Sequence, residues 1–519
     1  MTSCRLCWPC PRSKRLTDMR YLVVSPPVSQ PAQPPAGPFA LAAGLCGMGS
    51  PSGFLDLSPP FLLGLLEDRR TTPPLAYLGS GEAGSGLYDP HRHRSAAGVL
   101  HSRLRSVRTA PGWKVTLMDV SPPGRLHSLP RLLASAGQGD APYSAFLREY
   151  AIPRIRDAAA EKVLVSVSYL SQLPAALELA LLLRRAGIDF LLGGSMPRSL
   201  ASSGSGIEYL AEAVPELDLS DGSHLAGGGE GALPAAPAWP ELVGKKEYLC
   251  SRPVIPLPLS TGCAWGRCLF CPDRWKPFRR AAIEDLGRFL ERVPPEVMAR
   301  RPVLHLADSA VPPAYLRELP EVLSGLPVSF YGFARPEPEL LEDGLAARLA
   351  EAGCLMLQLG VESGSAGLMG LHRKGTDPSV SLEVLRALAT EGIRTYAYML
   401  LGLPGEEPGD RRLSLELLER AGESLDFLNL SVFNMPWRSA SEMAAELGVE
   451  AGVYSREKGV MQLYRPFTWV GRDLRREARD FIAEDLTASP AVSEALGRTP
   501  RWFRATHTAL MDLPDRRRN

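Results

Sequence analysis

Short apolar runs alternate with amphipathic helical stretches along most of the chain. In the first part, strand-like runs occur at residues 21–25, 114–120, 162–168 and 188–192, with helical patterns between several of them. A second series has strand-like runs at 256–260, 303–307, 328–333, 356–361, 395–401 and 426–433. Strands separated by helices of this length predict parallel sheets with right-handed crossovers. We therefore expect an α/β protein with two parallel sheets.

Changes in composition along the chain predict its organisation. Residues 226–240 are rich in Gly, Ala and Pro and mark a domain boundary, because few of them can anchor a core. We expect a disordered tail at 1–20, an α/β domain at 21–240 with an insertion or mobile loop at about 67–111, and a barrel domain at 250–438. Six β/α units in that domain predict a partial TIM-type (β/α)6 barrel, whose chemistry belongs at the carboxyl ends of the strands. Residues 439–519 are charged and helix-prone, which predicts a small helical cap.

The charge balance narrows the classes of partner. The chain has 58 Lys and Arg against 57 Asp and Glu, so its net charge of +1 indicates neither nucleic-acid binding nor a polybasic membrane surface. No window approaches the roughly 18 apolar residues of a membrane span, and the N-terminus lacks the pattern of a secretory signal. We expect a cytoplasmic protein that acts on a small molecule or a peptide. In a reducing compartment, clustered cysteines are more often metal ligands than disulfides.

The strongest chemical signal is the run TGCAWGRCLFCPDR at residues 261–274. It places Cys263, Cys268 and Cys271 in one loop directly after a predicted strand. Three thiolates suit a four-iron cluster, and they leave one iron free to bind substrate or cofactor. The alternative is a structural zinc site with Cys250 as fourth ligand. A further CxxCxxC at Cys4, Cys7 and Cys10 falls in the predicted disordered tail.

The spacing Cys-x4-Cys-x2-Cys, with Phe270 before the last cysteine, resembles the radical S-adenosylmethionine (SAM) superfamily. The commonest version has three residues in the first gap, and the pattern GCxWxxCxFC is similar to the cobalamin-linked branch. The resemblance implies a 4Fe-4S cluster on the three cysteines and SAM at the open iron. It also implies reductive cleavage of SAM to a 5'-deoxyadenosyl radical, with an electron donor such as flavodoxin or ferredoxin.

The same resemblance, which covers residues 253–437, assigns SAM contacts to the strand ends. Asp308 and Ser309 match the position that binds the methionine amino group, although Asp308 could equally cap a helix. Glu362 matches the position that holds the ribose hydroxyls. Arg373, with Lys374, matches the contact to the carboxylate, and a solvated charge pair is the alternative. The remaining implied contacts are Phe270 and, in a GxPGE-like turn near the adenine, Gly402 and Pro404.

The N-terminal part resembles the flavodoxin-like cobalamin-binding domain of that branch. The resemblance rests on SPPVSQPAQPPAGPFALAAGL, on SVSYLSQL, and on an SxL…GG pattern in which Ser168, Gly193 and Gly194 accommodate the corrin tail. Gly229, Glu230 and Gly231 resemble its GEG exit turn. The Asp-x-His-x-x-Gly motif that would supply a histidine to cobalt is absent. The alternative that this domain is degenerate and binds no cofactor therefore remains.

These expectations leave three functions to separate. With cobalamin, methylation of an unactivated carbon or phosphorus in a metabolite or peptide is the leading reaction. Without cobalamin, cyclisation or rearrangement is equally open, and a zinc-stapled, non-catalytic binding protein is the remaining alternative. Several aromatic and polar residues at strand ends are candidates for lining a substrate pocket, and ordinary packing is the alternative interpretation. They are Tyr331, Arg335, Tyr398, Asn434 and Trp437.

Overall fold

The computed structural model describes residues 19–79, 90–107, 112–124, 128–203, 206–220, 225, 248–342, 344–454, 457 and 459–499. The predicted N-terminal tail with its three cysteines, and the Gly229-Glu230-Gly231 turn, lie outside the described residues. Within them, no helix is long and apolar enough to cross a bilayer.

The N-terminal unit is built on a parallel sheet with the strand order β2-β1-β5-β6 among the described residues. The strands of this unit are β1 Tyr21–Ser25, β2 Ser52–Asp56, β3 Lys114–Val115, β4 Val120–Ser121, β5 Lys162–Ser166 and β6 Phe190–Gly193. Its helices are α1 Ala36–Gly47, α2 Ser58–Leu66, α3 Thr72–Gly79, α4 Pro90–Ser106, α5 Leu129–Gln138, α6 Ser144–Phe146, α7 Ile152–Asp157, α8 Leu173–Arg185, α9 Ser195–Ser203 and α10 Ile207–Ala213.

Two elements of this unit differ from the sequence prediction. The run 114–120, predicted as one strand, forms the antiparallel pair β3–β4 outside the main sheet. The reason is a tight turn in which the Thr116 amide donates to the Asp119 carbonyl at 2.8 Å. Strand β2 was not predicted, because Ser52 and Gly53 dilute its apolar pattern. The described part of 67–111 contains α3 and α4, and Leu100 and Leu104 of α4 are buried in the core.

The second unit is a six-stranded parallel sheet with the order β14-β13-β12-β11-β10-β7, which forms an open barrel. Its strands are β7 Val254–Leu257, β10 Val303–Leu306, β11 Ser329–Ala334, β12 Cys354–Glu362, β13 Arg394–Leu401 and β14 Phe427–Val432, with a hairpin of β8 Ser260–Thr261 and β9 Arg279–Arg280. Its helices are α11 Ile283–Leu290, α12 Pro295–Met298, α13 Pro313–Leu323, α14 Leu345–Glu351, α15 Ala366–Leu371, α16 Pro378–Thr390 and α17 Pro408–Ala421.

Alternation along the barrel strands separates an inner face from an outer face. The inward side chains Val303, Tyr331, Met356, Tyr396 and Phe427 form a small internal cluster. The alternate side chains face outward and join the large core under the helices. These strands overlap the six predicted ones, and the two parallel sheets confirm the predicted fold class.

The two units share a core and a polar contact. Phe39 and Phe54 of the N-terminal unit belong to the same buried cluster as Ile255 of the barrel. Residues 26–35, which follow β1, reach the inside of the barrel through Gln33. Its Oε1 accepts a hydrogen bond from the Tyr331 hydroxyl at 2.8 Å, and its Nε2 lies 2.9 Å from His305 Nδ1. The carboxyl end of β1 therefore faces the barrel interior.

The C-terminal region packs against the barrel. It contains the short strands β15 Met435–Pro436, β16 Val449–Ala451, β17 Tyr464–Arg465 and β18 Phe467–Trp469, and the helices α18 Ala440–Leu447, α19 Leu474–Phe481 and α20 Pro490–Arg498. The strands pair as β15–β17 and β16–β18. The Leu428 amide of β14 donates to Thr499 Oγ1 at 3.1 Å, which ties the end of α20 to the barrel edge.

Candidate functional site

The loop with the three cysteines follows the first barrel strand and returns through the β8–β9 hairpin. The Leu269 amide donates to the His372 carbonyl at 3.1 Å, and the Cys271 amide donates to the Cys268 carbonyl at 3.2 Å. Gly262 has a φ of +70°, and a Cβ there would lie 2.7 Å from the carbonyl oxygens of Lys276 and Pro277. Glycine is therefore required where the loop folds back on itself.

The three thiols influence one another electrostatically and are largely shielded from water. Cys268 is buried, and Cys263 and Cys271 are half-buried. Burial raises the pKa of Cys268, which Lys374 and Arg335 oppose. Burial, together with Asp273, raises the pKa of Cys271 to about 12. The raised pKa values keep the Cys268 and Cys271 thiols protonated until a metal displaces their protons. Three soft donors in one loop fit an iron-sulfur cluster.

Cys250, the fourth ligand of the zinc alternative, lies elsewhere. It interacts electrostatically with Tyr331, which lies in the N-terminal half of β11. The guanidinium of Arg335 approaches Cys268. Arg335 directly follows β11 and lies four residues after Tyr331, which corresponds to about 13 Å along an extended strand. The structure therefore does not bring Cys250 to the three cysteines. Among the described residues, no three His, Cys, Asp or Glu side chains are grouped to hold a single metal ion.

Arg335 and Trp265 pack between the cysteine loop and the ends of the barrel strands. Arg335 Nη1 lies 3.9 Å from Cys268 Sγ, and Nη2 donates to the Lys374 carbonyl at 2.7 Å. The guanidinium lies over the Trp265 ring at 4.7 Å from its centroid. A Cβ at Gly375 would lie 2.1 Å from the same ring, so this glycine makes room for it. Sequence reasoning named Arg335 only as a pocket residue and missed its contact with Cys268.

Glu362 and Lys374 form a buried ion pair beside the loop. Lys374 Nζ lies 3.0 Å from Glu362 Oε1, and it lies 6.0 Å from the centroid of the Phe270 ring. A Cβ at Gly360 would lie 2.7 Å from Glu362 Oε1 and 3.0 Å from Lys374 Nζ. The structure thus brings together the cysteines, Phe270, Glu362 and Lys374.

Arg373, the neighbour of Lys374, points away from this group. Its side chain is 46% exposed and pairs with Glu446 at 2.5 Å and with Glu442 at 3.5 Å, both on α18. Arg373 itself has a φ of +54°, and its carbonyl accepts a hydrogen bond from Trp265 Nε1 at 2.8 Å. The cation that faces the cysteine loop is therefore Lys374.

Asp308 and Ser309 both contact the segment that carries the cysteines. Asp308 accepts from the Leu259 amide at 3.2 Å and from the Ser260 hydroxyl, and burial raises its pKa to about 6. Ser309 Oγ donates to Asp273 Oδ2 at 2.5 Å. The next helix begins only at Pro313, so Asp308 does not cap it.

Gly402 and Pro404 lie in a turn that two buried residues hold in place. Gly402 has a φ of +78°, and its amide donates to Glu406 Oε2 at 2.8 Å. His372 Nε2 donates to the Pro404 carbonyl at 2.8 Å. Because the His372 carbonyl also accepts from Leu269, this residue connects the turn with the cysteine loop. The roles of His372 and Glu406 were not visible in the sequence pattern.

The barrel interior next to these groups has aromatic and neutral polar walls. His305 stacks on Tyr331 with 4.4 Å between ring centroids and 7° between planes. The other inward, half-buried side chains are Phe333, Tyr398, Asn429 and Ser431. Asn434 is exposed, and the Trp437 ring packs under Arg465. Sequence reasoning missed His305, whose partner Gln33 lies in the other unit.

A small pocket of about 110 Å³, partly open to solvent, lies at the carboxyl ends of β5 and β6. Its lining includes Ser168, Gly193 and Gly194, the three residues predicted there from sequence. Gly194 has a φ of +112°, and a Cβ would lie 2.5 Å from the Val167 carbonyl oxygen. A Cβ at Gly37, also in the lining, would meet only Ser168 Oγ, at 3.9 Å. Small side chains thus leave an open slot at the carboxyl ends of β5 and β6.

Fold and site together define an α/β protein in which a four-stranded parallel sheet unit is joined to a six-stranded, partial β/α barrel with three cysteines at its strand ends. Solved structures with a similar fold include cobalamin-dependent radical SAM enzymes. The radical SAM methyltransferase TsrM from Kitasatospora setae, with cobalamin and a [4Fe-4S] cluster bound, is 14% identical, with a TM-score of 0.51 over 92% of this chain and 90% of that one.

The cobalamin-dependent SAM radical enzyme OxsB, with aqua-cobalamin bound, is also 14% identical, with a TM-score of 0.50 over 88% of this chain. This chain spans 57% of the length of OxsB. No protein-family model matches the sequence, and no curated protein matches it either. At this level of identity, the similarity establishes the fold.

Proposed function

We propose that this protein is a cobalamin-dependent radical SAM enzyme that methylates an unactivated position of a metabolite or peptide. The observation that carries the proposal is the trio Cys263, Cys268 and Cys271, which share one loop at the carboxyl ends of parallel barrel strands. Cys250 lies apart from them, beside Tyr331. Three ligands without a fourth leave the open iron position that SAM chemistry requires.

When bound to the three cysteines, a four-iron cluster would supply the electron that cleaves SAM into methionine and a 5'-deoxyadenosyl radical. The residues around it bind and orient SAM. Glu362 accepts the ribose hydroxyls, and Lys374 fixes the Glu362 carboxylate and offers its ammonium to the methionine carboxylate. Asp308 keeps carboxylate lone pairs for the methionine ammonium beyond those used by Leu259 and Ser260.

The turn at Gly402 and Pro404 offers backbone groups to the adenine. Glu406 and His372 hold this turn from behind through the Gly402 amide and the Pro404 carbonyl. Phe270 packs under Lys374 and excludes water from the cluster side. These residues position the cofactor, while the bond-breaking chemistry belongs to the cofactors themselves.

Cobalamin would supply a methyl group carried on cobalt, and the pocket at Ser168, Gly193 and Gly194 would hold its tail. Residues 26–35 reach from β1 to His305 and Tyr331, so the strand ends of the N-terminal unit are connected directly to the barrel interior, where a substrate would be held. The described lining of this pocket contains no histidine, in keeping with the missing Asp-x-His-x-x-Gly motif. The neutral, aromatic barrel interior suits a substrate with apolar and hydrogen-bonding groups.

The test is anaerobic reconstitution with iron, sulfide, SAM, a reductant and added cobalamin, followed by mass spectrometry. We expect brown protein that forms 5'-deoxyadenosine and S-adenosylhomocysteine, the second only when cobalamin is present. Formation of 5'-deoxyadenosine alone, independent of cobalamin, would replace methylation by cyclisation or rearrangement. Colourless protein that holds zinc and leaves SAM intact would overturn the proposal, because zinc is d10 and has no redox chemistry.

A further inference from the structure

A residue of the N-terminal unit holds His305 in a fixed orientation inside the barrel. His305 lies on β10, and its ring stacks on the inward-facing Tyr331 with 4.4 Å between centroids and 7° between planes. Gln33, which is only 2% exposed, places its Nε2 at 2.9 Å from His305 Nδ1. The stack fixes the plane of the imidazole, and the hydrogen bond fixes its rotation within that plane. Both ring nitrogens of His305 therefore have defined directions.

The hydrogen bonds around Gln33 also determine which nitrogen of His305 carries the proton. The Tyr331 hydroxyl donates to Gln33 Oε1 at 2.8 Å, so the amide nitrogen of Gln33 is turned toward His305. An amide nitrogen can only donate, which means that His305 Nδ1 accepts and is unprotonated. Burial lowers the pKa of His305 to about 4, so the imidazole is neutral at about pH 7. In a neutral imidazole with an unprotonated Nδ1, the proton is on Nε2.

The Nε2–H of His305 is a hydrogen-bond donor that the protein itself does not use. Among the described residues, Nε2 has no hydrogen-bond partner, and His305 is half-buried although it lies inside the barrel. Its accessible surface therefore opens into the barrel interior. The other half-buried side chains there are aromatic or neutral, namely Phe333, Tyr398, Asn429 and Ser431. A donor in such surroundings gains free energy when a ligand supplies an acceptor.

The loop that carries Gln33 is rigid. Five of residues 26–35 are prolines, which restrict the backbone. The Pro31 carbonyl accepts a hydrogen bond from the Leu249 amide at 2.8 Å, and the Pro26 carbonyl accepts one from Gln172 Nε2 at 2.7 Å. Gln33 is thus held in place before any ligand binds, and so is the donor that it orients.

We propose that the Nε2–H of His305 binds the carbonyl oxygen of a neutral amide group in the substrate, and that Gln33 is the positioning residue that keeps the proton on Nε2. The inference rests on the proposed function, which places the substrate in the barrel interior. It narrows the substrate to a peptide or an amide-bearing metabolite. A neutral imidazole offers a donor without a charge, and a carboxylate buried against these walls without a counter-charge would be costly. An ammonium group cannot accept this hydrogen bond.

The first test reads the protonated nitrogen directly by NMR. The full chain, labelled with 15N-histidine, is measured at about pH 7 before a cluster or cobalamin is added. Loss of one of the eight histidine signals in His305→Phe assigns His305. We expect the proton on Nε2 in the native protein. A proton on Nδ1, or a positively charged ring, would overturn the inference.

Two glutamine variants in the same loop separate the positioning role from packing. Gln33→Met removes the donor to Nδ1, so His305 should show a mixture of both tautomers. The matched control is Gln30→Met, because Gln30 is 8% exposed and donates from Nε2 to the Tyr169 hydroxyl at 3.1 Å. This control should keep the proton on Nε2. An unchanged tautomer in Gln33→Met, or the same change in both variants, would contradict the role of Gln33. The native spectrum still tests the inference if Gln33→Met does not fold.

The second test identifies the chemical group that His305 binds. Benzamide and benzylamine carry the same ring and differ in offering a carbonyl or an ammonium group. Benzamide should shift the His305 Nε2–H signal in a saturable manner, with about tenfold weaker binding to Gln33→Met. Absence of a saturable shift, or a larger shift with benzylamine or benzoate, would refute the assignment of a neutral amide. These measurements need no cofactor, so their failure differs from a failure to form 5'-deoxyadenosine after reconstitution, which concerns the proposed function.

Discussion

Lys374 Nζ lies 3.0 Å from Glu362 Oε1, and the two side chains are 5% and 13% exposed. The preceding residue, Arg373, forms its ion pairs on the opposite side, where its side chain is 46% exposed. Two adjacent basic residues thus have different physical roles. A buried pair that loses one partner leaves an uncompensated charge, which costs far more than the loss of an exposed pair.

Replacement of Lys374 should therefore destabilise the protein strongly. We expect Lys374→Met to lower the free energy of unfolding by about 3 kcal/mol. The double variant Glu362→Gln with Lys374→Met should recover a large part of that loss, because no charge is then left unpaired. The matched control is Arg373→Met, which should cost less than about 1 kcal/mol. Urea unfolding of the four proteins measures these values, and equal losses at 373 and 374 would contradict the burial difference.

Substitution of a cysteine in the loop should lower the iron content of the protein, whereas substitution of Cys250 should not. After anaerobic reconstitution, Cys268→Ala should lose most of its iron, because two remaining thiols hold a cube poorly. Cys250→Ala should keep the iron content of the native protein, since Cys250 neighbours Tyr331 and not the cysteine loop. Iron and zinc analysis measures both. A zinc protein that loses its metal in either variant would instead support a four-cysteine site.

The barrel strands were predictable because each is an apolar run bounded by turn residues, as expected for strands buried on both faces. The cysteine spacing and Glu362 were equally visible, since both follow predicted strands. That the side chains of Arg373 and Lys374 point to opposite sides could not be predicted from the sequence. These directions depend on a positive φ at Arg373 and on the insertion of the Trp265 ring beside Gly375, which lies over 100 residues away along the chain. The contact of Gln33 with His305 spans 272 residues and has no local signature.

Filling the pocket of the N-terminal unit should block cobalamin without unfolding the protein. Gly37→Leu would project a side chain into the lining, where a Cβ meets only Ser168 Oγ at 3.9 Å. We expect loss of cobalamin binding, measured by its absorption spectrum after desalting, with little change in thermal stability. The control is Gly98→Leu in α4, where a Cβ meets nothing within 4 Å. Both changes favour the helix similarly, so a loss of cobalamin in both, or in neither, would argue against this pocket as the binding site.

The buried Glu406 carboxyl should make stability depend on pH near neutrality. Its side chain is 1% exposed, it accepts from the Gly402 amide, and Arg411 lies 3.9 Å away. Burial raises its pKa from 4.5 to about 7, opposed by the Gly402 hydrogen bond and by Arg411. The other acidic groups that face it are Asp410 and Glu477. Arg472 and Arg411 hold the pKa of Glu477 at about 2, so Glu477 stays ionised throughout this range.

The sign of the effect follows from the raised pKa. Between about pH 4.5 and about pH 7, the folded state holds a proton on Glu406 that the unfolded state has released. The stability that this proton confers is complete below the unfolded pKa and is lost as the pH rises through about 7. Glu406→Gln keeps an acceptor for the Gly402 amide and cannot titrate. We therefore expect the native protein to lose on the order of 3 kcal/mol relative to Glu406→Gln between about pH 5 and about pH 8, measured by urea unfolding. Parallel stability curves for the two proteins would show that Glu406 does not titrate in this range.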